Sequence, residues 1–242
     1  MTMNRKPLLA LAMFAALLSA GAATAAPAAA SVLVSPTGRP PSFDVHFVPY
    51  KVAGYGNATF GMTLDQVTAL VAHDYPAGAA SLKDASDVTT GLRTLTVVVP
   101  ALAPGPGPAT VTYVFGNGSQ RLAAVNVYWI ATGQATAGQR AALVAAGGAV
   151  VSGLAGWKWD GSWLGRVIGP NELVVFSGRD VAGGGVEVRL DGVDLDVQTA
   201  TSSAPLTPLV HRPAAPGPAR LRLSFVSDTQ HPDVYRIPAG AF

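Results

Sequence analysis

The sequence predicts an α+β fold: two tandem units, each a capped helix packed on a small antiparallel sheet, the second with an inserted tryptophan-containing hairpin. Three internal matches predict it. FGMTLDQVTALVA (residues 60–72) and ATAGQRAALVA (residues 135–145) agree at six positions when aligned on Thr63 and Thr136. PGPATVTYVF, from Pro106 to Phe115, aligns without a gap on PGPARLRLSF, from Pro216 to Phe225. Val127-Tyr128-Trp129-Ile130 then matches Val234-Tyr235-Arg236-Ile237. Three landmarks in one order read as an internal duplication. The helices are offset by 73 residues and the strands by 110, so the second copy carries about 37 more residues between helix and hairpin.

The first element is a targeting segment. Arg5 and Lys6 precede an apolar run, Pro7 to Leu18, and small residues lead to Ala23-Thr24-Ala25. Basic, apolar and A-x-A regions in that order read as a secretory signal peptide, residues 1–25, cleaved after Ala25. Cutting one residue later would place Pro27 directly after the scissile bond. The apolar run is short for a spanning helix, so no membrane span is expected after cleavage. The whole chain has 16 Lys+Arg and 14 Asp+Glu; without Arg5 and Lys6 the counts balance and the net charge is zero. A neutral chain with no basic stripe is not expected to bind nucleic acid. The absence of cysteine excludes a lipid anchor on that residue and any disulfide, so the core alone must stabilise the fold. The Ala, Gly and Pro load, with Arg ahead of Lys, fits a GC-rich bacterial genome. The expected location is the periplasm or the medium.

Residues 26–41 (APAAASVLVSPTGRPP) read as an extended N-terminal arm. The first unit is expected over 42–130 and opens with Phe43, Val45 and Phe47 alternating like a strand. Thr63 and Gln66 form a capping box, Met62 and Val67 take the staple positions, and Asp65 suits the first turn. Leu64, Val67, Leu70 and Val71 make one apolar face, and Pro76 stops the helix. On the following strand Val111, Tyr113 and Phe115 share a face, and Asn117-Gly118 supplies a turn.

The second unit is expected over 131–242. Thr136 and Gln139 repeat the capping box, and Gly147-Gly148 read as the helix stop. An insertion is placed at about 148–200. Within it, Trp157 to Trp163 (WKWDGSW) reads as strand, Asp-Gly turn, strand, with further strands over 172–176 and 185–198. The proline-rich stretch from Ala200 to Ala219 reads as a long exposed connection. Leu221, Leu223 and Phe225 share the face of the last matched strand, and Ser227-Asp228-Thr229 turns after it.

Gly61-Met62-Thr63 and the helix it opens resemble the BamE (SmpA/OmlA) family and the β-lactamase-inhibitor proteins. The resemblance covers Phe60 to Val71 and the helix-then-hairpin order of both units. It implies a helix packed on a small antiparallel sheet, used as an envelope or secreted protein-binding module. Two departures are visible: BamE proteins are lipid-anchored through a cysteine this chain lacks, and the second copy has Thr132-Gly133-Gln134-Ala135 where the first has the Gly-Met motif.

No G-x-S-x-G elbow, S-x-x-K, H-E-x-x-H or P-loop occurs. His46, His73, His211 and His231 stand at no metal-ligand spacing. Asp191, Asp194 and Asp196 cluster without the calcium-loop spacing or its terminal Glu, and read as a solvent-facing strand edge. With only Glu172 and Glu187, a glycosidase pair would need aspartates. No catalytic residue, cofactor or metal is therefore expected. The candidate binding residues are Trp157, Trp159 and Trp163, which the hairpin would gather into one cluster. That cluster reads either as a platform for a sugar ring or protein partner, or as packing for the inserted strands. Two functions follow: a non-catalytic exported module that binds an envelope or secreted protein or a cell-wall glycan, or a secreted hydrolase. A cleft joining His211 or His231 to an Asp and a Ser would favour the hydrolase.

Overall fold

A computed structural model describes residues 48–87, 91–197 and 210–234. The signal segment, the arm and the Phe43–Phe47 alternation lie outside the described residues, as do residues 235–237 of the last internal match and the first half, 200–209, of the 200–219 connection.

Both capping boxes form. The first helix, α1, spans Leu64–Asp74 and ends two residues before Pro76. The Gln66 amide donates to Thr63 Oγ1 at 3.3 Å, and the Thr63 amide donates to Gln66 Oε1 at 2.8 Å. The second helix, α2, spans Ala137–Ala155, with the same reciprocal pair at 3.2 and 2.9 Å between Thr136 and Gln139. It runs straight through Gly147-Gly148, where the sequence predicts a stop. Glycine costs about 1 kcal/mol inside a helix. The turns beyond it bury Val151 and Leu154 in the core, and Gly147 itself packs on Leu190 and Leu221. Burial outweighs propensity here. Arg140 ties the start of α2 to the approach of the last strand, donating to the carbonyls of Ala215 and Gly217.

The strands overturn the predicted fold class. Instead of two small sheets, each under its own helix, the chain is mostly β, built on one eight-stranded antiparallel sheet. A small hairpin comes first, β1 (Gly54–Tyr55) with β2 (Ala58–Thr59). The sheet then takes β3 (Lys83–Ser86), β4 (Arg93–Val99), β5 (Ala109–Phe115) and β6 (Leu122–Ala131). After α2 come β7 (Gly161–Gly169), β8 (Glu172–Arg179), β9 (Gly185–Asp191) and, past the short pair β10 (Leu195–Val197) and β11 (Val210–Arg212), β12 (Ala219–Val226). The order across the sheet is β3-β4-β5-β6-β12-β9-β8-β7.

The join is the pairing of β6 with β12, which runs from Ala131 opposite Ala219 to Ala124 opposite Val226. Each of these strands would otherwise leave a long raw edge beside an apolar face, and pairing removes both edges at once. The aligned strands β5 and β12 therefore take unequal places: β5 is the third strand of its run and β12 the last of the other, and they flank β6 from opposite sides. Val234, aligned with Val127 of β6, lies in no strand. Residues on both sides of the expected 130/131 boundary share this one sheet.

One face of the sheet is covered. Leu95, Val97, Val111, Tyr113, Val125, Val127, Trp129, Val188, Leu190, Leu221, Leu223 and Phe225 share it by register, and all are buried. Both helices, the β1–β2 hairpin and the segment around Val193 and Leu195 pack on this side. Trp129 is fully buried and donates from Nε1 to the Leu102 carbonyl at 3.0 Å, while Gly105 lies flat against its ring. Tyr55 meets Phe225 at 5.5 Å between centroids; burial, then the neighbouring Tyr75, pushes its phenol up to about 12.

Two buried or half-buried carboxylates fasten the ends. Asp180 accepts from the amides of Val52, Ala182 and Gly184 at 2.7, 2.9 and 2.9 Å, locking the β8–β9 turn to the N-terminal approach. Asp233 accepts from Gly118 and Ser119 at 2.7 and 2.9 Å, clasping the C-terminal segment to the β5–β6 turn. Among the described residues no helix is long and apolar enough to cross a membrane.

Candidate functional site

The predicted tryptophan hairpin does not form. Trp157 to Asp160 lie outside the strands, and β7 begins at Gly161. Lys158 instead makes an isolated parallel bridge with Pro49, the Tyr50 amide donating to its carbonyl at 2.9 Å. The bridge brings Tyr50 between the first two tryptophans. Trp159 stacks on Tyr50 at 4.5 Å, meets the Phe176 edge at 5.3 Å, and donates from Nε1 to the Leu154 carbonyl at the end of α2. Trp157 packs edge-on against Tyr50 at 5.5 Å.

Trp163 stands apart from them on β7, with the Arg166 guanidinium 5.8 Å from its ring. Its register partner is Ser177, whereas Phe176, which carries Trp159, points to the covered side. The three side chains therefore do not make one cluster. Trp157 and Trp159 plug the seam between α2 and the N-terminal approach, and Trp163 belongs to the opposite face of the sheet.

That opposite face is the more informative surface, because no described helix or hairpin packs on it. Register sets its contents in rows. One row reads Trp163, Ser177, Glu187, Ser224, Asn126, Thr112, Thr96 across seven strands. The next reads Arg166, Val174, Arg189, Arg222, Tyr128, Thr110, Val98. A third holds Glu172, Asp191, Arg220 and Ile130. Neighbours along a row stand about 4.5–5.5 Å apart at Cβ, so they interact directly.

The centre is an ion ladder. Arg189 pairs with Glu172 and, from Nε, with Asp191 at 3.1 Å. Arg220 reaches the other Asp191 oxygen at 2.7 Å, and Arg222 pairs with Glu187. Three guanidiniums and three carboxylates thus balance. Burial draws the Arg189 guanidinium below its ordinary value, the Asp191 carboxylate opposing, while burial raises the Tyr128 phenol beside Arg222. Towards β4 the face turns neutral: Ser224 donates to Asn126 Oδ1 at 2.6 Å, and the Thr96 and Thr112 hydroxyls meet at 3.3 Å. Val98 and Ile130 stand exposed among them.

Both glutamates of the chain are committed to arginines here. The aspartates that cluster in sequence separate: Asp191 joins the ladder, Asp194 accepts from the Ala214 amide, and Asp196 pairs with His211 Nδ1 at 2.9 Å. His231 lies 3.5 Å from Asp228, and His73 is 2.8 Å from Asp74. Among the described residues no serine hydroxyl bonds to any of these rings, and no group of three or more acidic, His or Cys side chains could hold a metal. His46 lies outside the described residues.

Sequence reasoning overlooked this face. The signal lay in the alternation of β5 (Thr110, Thr112), β9 (Glu187, Arg189, Asp191) and β12 (Arg220, Arg222, Ser224), whose polar residues all fall on the side away from the core. Compared with known protein families, curated proteins and solved structures, the chain matches none.

Proposed function

We propose that the chain is an exported bacterial binding module, without catalytic activity, that meets a partner protein of the envelope or medium through the open face of its sheet. One observation carries the reading. One face of the eight-stranded sheet is left without a described element upon it, and it carries a fixed plate of Arg, Tyr, Asn and Thr, with Arg222 and Asn126 packed in among their neighbours and the aliphatic Val98 and Ile130 exposed. Arg and Tyr are over-represented among residues that dominate protein interfaces, and rigid presentation lowers the entropy cost of docking. Ion pairs whose geometry is already built steer and select a partner more than they add affinity. A glycan is the less supported occupant, since a single tryptophan, already engaged by Arg166, stands on this face.

Export is part of the same proposal and rests on the n-region, apolar run and A-x-A order of residues 1–25. Intact-mass measurement of protein recovered from periplasm or medium should give a chain beginning at Ala26; a mass retaining Met1 contradicts it. Binding is tested by crosslinking capture from the envelope fraction, comparing wild type with Val98→Asp, Thr112→Arg and Ile130→Asp. Capture should fall by about thirtyfold for the strongest of the three, with melting unchanged. Equal capture of the same partners by all three variants would remove the open face from the proposal.

A further inference from the structure

The two edges of the sheet are defended unequally. At one end β3 is four residues long, wholly exposed, and carries Lys83 and Asp84, the latter held by Arg93. Short charged edges of this kind resist further pairing. At the other end β7 is nine residues long and reads GSWLGRVIG, with no acid and a single cation. Trp163, Leu164 and Ile168 are 38%, 53% and 43% exposed. Among the described residues β7 pairs with β8 alone, so its outer backbone amides and carbonyls have no strand beside them.

We propose that β7 is a docking edge, which accepts an extended peptide segment of a partner protein as a ninth strand with an acidic side chain set beside Arg166. Main-chain hydrogen bonds would supply affinity, and the side chains on β7 would choose the sequence. Charge decides the occupant. Arg166 has the Trp163 ring for company and no carboxylate among the described residues. A second copy of β7 brings no acid to it in any register. A second copy of β3 brings Asp84, which Arg93 already holds. A segment of a different protein that carries Glu or Asp amid apolar residues fits this edge. Gly165, at φ +65°, turns the strand between Leu164, opposite Phe176 on the covered side, and Arg166, opposite Val174 on the open side. The guest thus meets one apolar and one cationic position on its two faces.

This inference stands apart from the open-face reading, whose test residues lie on β4, β5 and β6. The probe is a fluorescent hexapeptide alternating valine with threonine and one central glutamate, compared with the same peptide carrying lysine. Titrating each with the full chain and following anisotropy should show the glutamate peptide binding about tenfold tighter. Arg166→Glu should reverse that order, with melting and circular dichroism unchanged because the side chain is exposed. Hydrogen exchange should show new protection over Gly161–Gly169 in the bound state and none over Lys83–Ser86. Three results would overturn the proposal: neither peptide binds, the glutamate preference survives Arg166→Glu, or β7 is already protected in the free chain by another segment or a second copy.

Discussion

The two faces of the central sheet use the same strands for opposite ends. On the covered face the residues are mostly apolar, with few hydrogen bonds such as that of Trp129 to the Leu102 carbonyl, and are shut from water by both helices and the β1–β2 hairpin. On the open face the alternate residues of the same strands are mostly charged, amide or hydroxylic and bond one another, with Val98, Val174 and Ile130 set among them. Arg222 and Leu223 are neighbours in sequence, both buried, yet one lies in an ion ladder and the other in the core. The difference teaches that burial alone does not identify the core. A side chain can be hidden by its polar neighbours and still belong to an interaction surface.

Substitutions should rank by face. The largest effect belongs to the covered side: Trp129→Ala empties a fully buried site and should cost about 3–5 kcal/mol. Urea unfolding measures it, and a loss below about 1 kcal/mol would mean the covered face does not dominate stability. Next is the ladder. Glu187→Ala strands the Arg222 guanidinium, whose side chain is only 5% exposed and whose Nε already lacks a partner among the described residues, and should cost about 3 kcal/mol. Replacing both together, Glu187→Leu with Arg222→Met, should recover most of that loss. If the double variant is as unstable as the single, the ladder stabilises the fold rather than merely satisfying it.

The helix caps should follow. Thr63→Ala and Thr136→Ala each remove a cap hydroxyl and should each lower stability by about 1 kcal/mol. Thermal melting of the two variants tests their equivalence, and an effect in one alone would show that the helices depend unequally on their ends. Smallest is Thr112→Ala, on the neutral part of the open face, which should stay within about 0.5 kcal/mol. A larger loss there would blur the distinction between the faces.

What could be read from sequence was what local chemistry fixes. The capping boxes are reciprocal bonds across three residues, so Thr63-Gln66 and Thr136-Gln139 announce themselves. The common face of Val111, Tyr113 and Phe115, and of Leu221, Leu223 and Phe225, follows from strand alternation alone. Strand partners are another matter. The contact of Ser224 with Asn126 spans 98 residues, and no local pattern distinguishes β12 beside β6 from β12 in a sheet of its own. The open face is assembled only when that partnership is known. Asp160-Gly161 misled for a related reason: its turn chemistry is sound, but Lys158 finds Pro49, and Trp159 is drawn under α2 instead of into a hairpin.

The central position of β12 governs the order in which the protein can be completed. Among the described residues Ala219–Val226 is the last sheet strand to be synthesised, yet it fills the middle of the sheet. Until it arrives, β6 and β9 are both raw edges, and the two partial sheets have nothing to join them. Folding of the sheet therefore waits for β12, and its rate is set by closing contacts of long sequence separation. A chain still being synthesised stays open until β12 follows, with β6 and β9 as two waiting edges. Loss of β12 would leave not a slightly smaller sheet but two halves, each able to capture the β12 of another molecule.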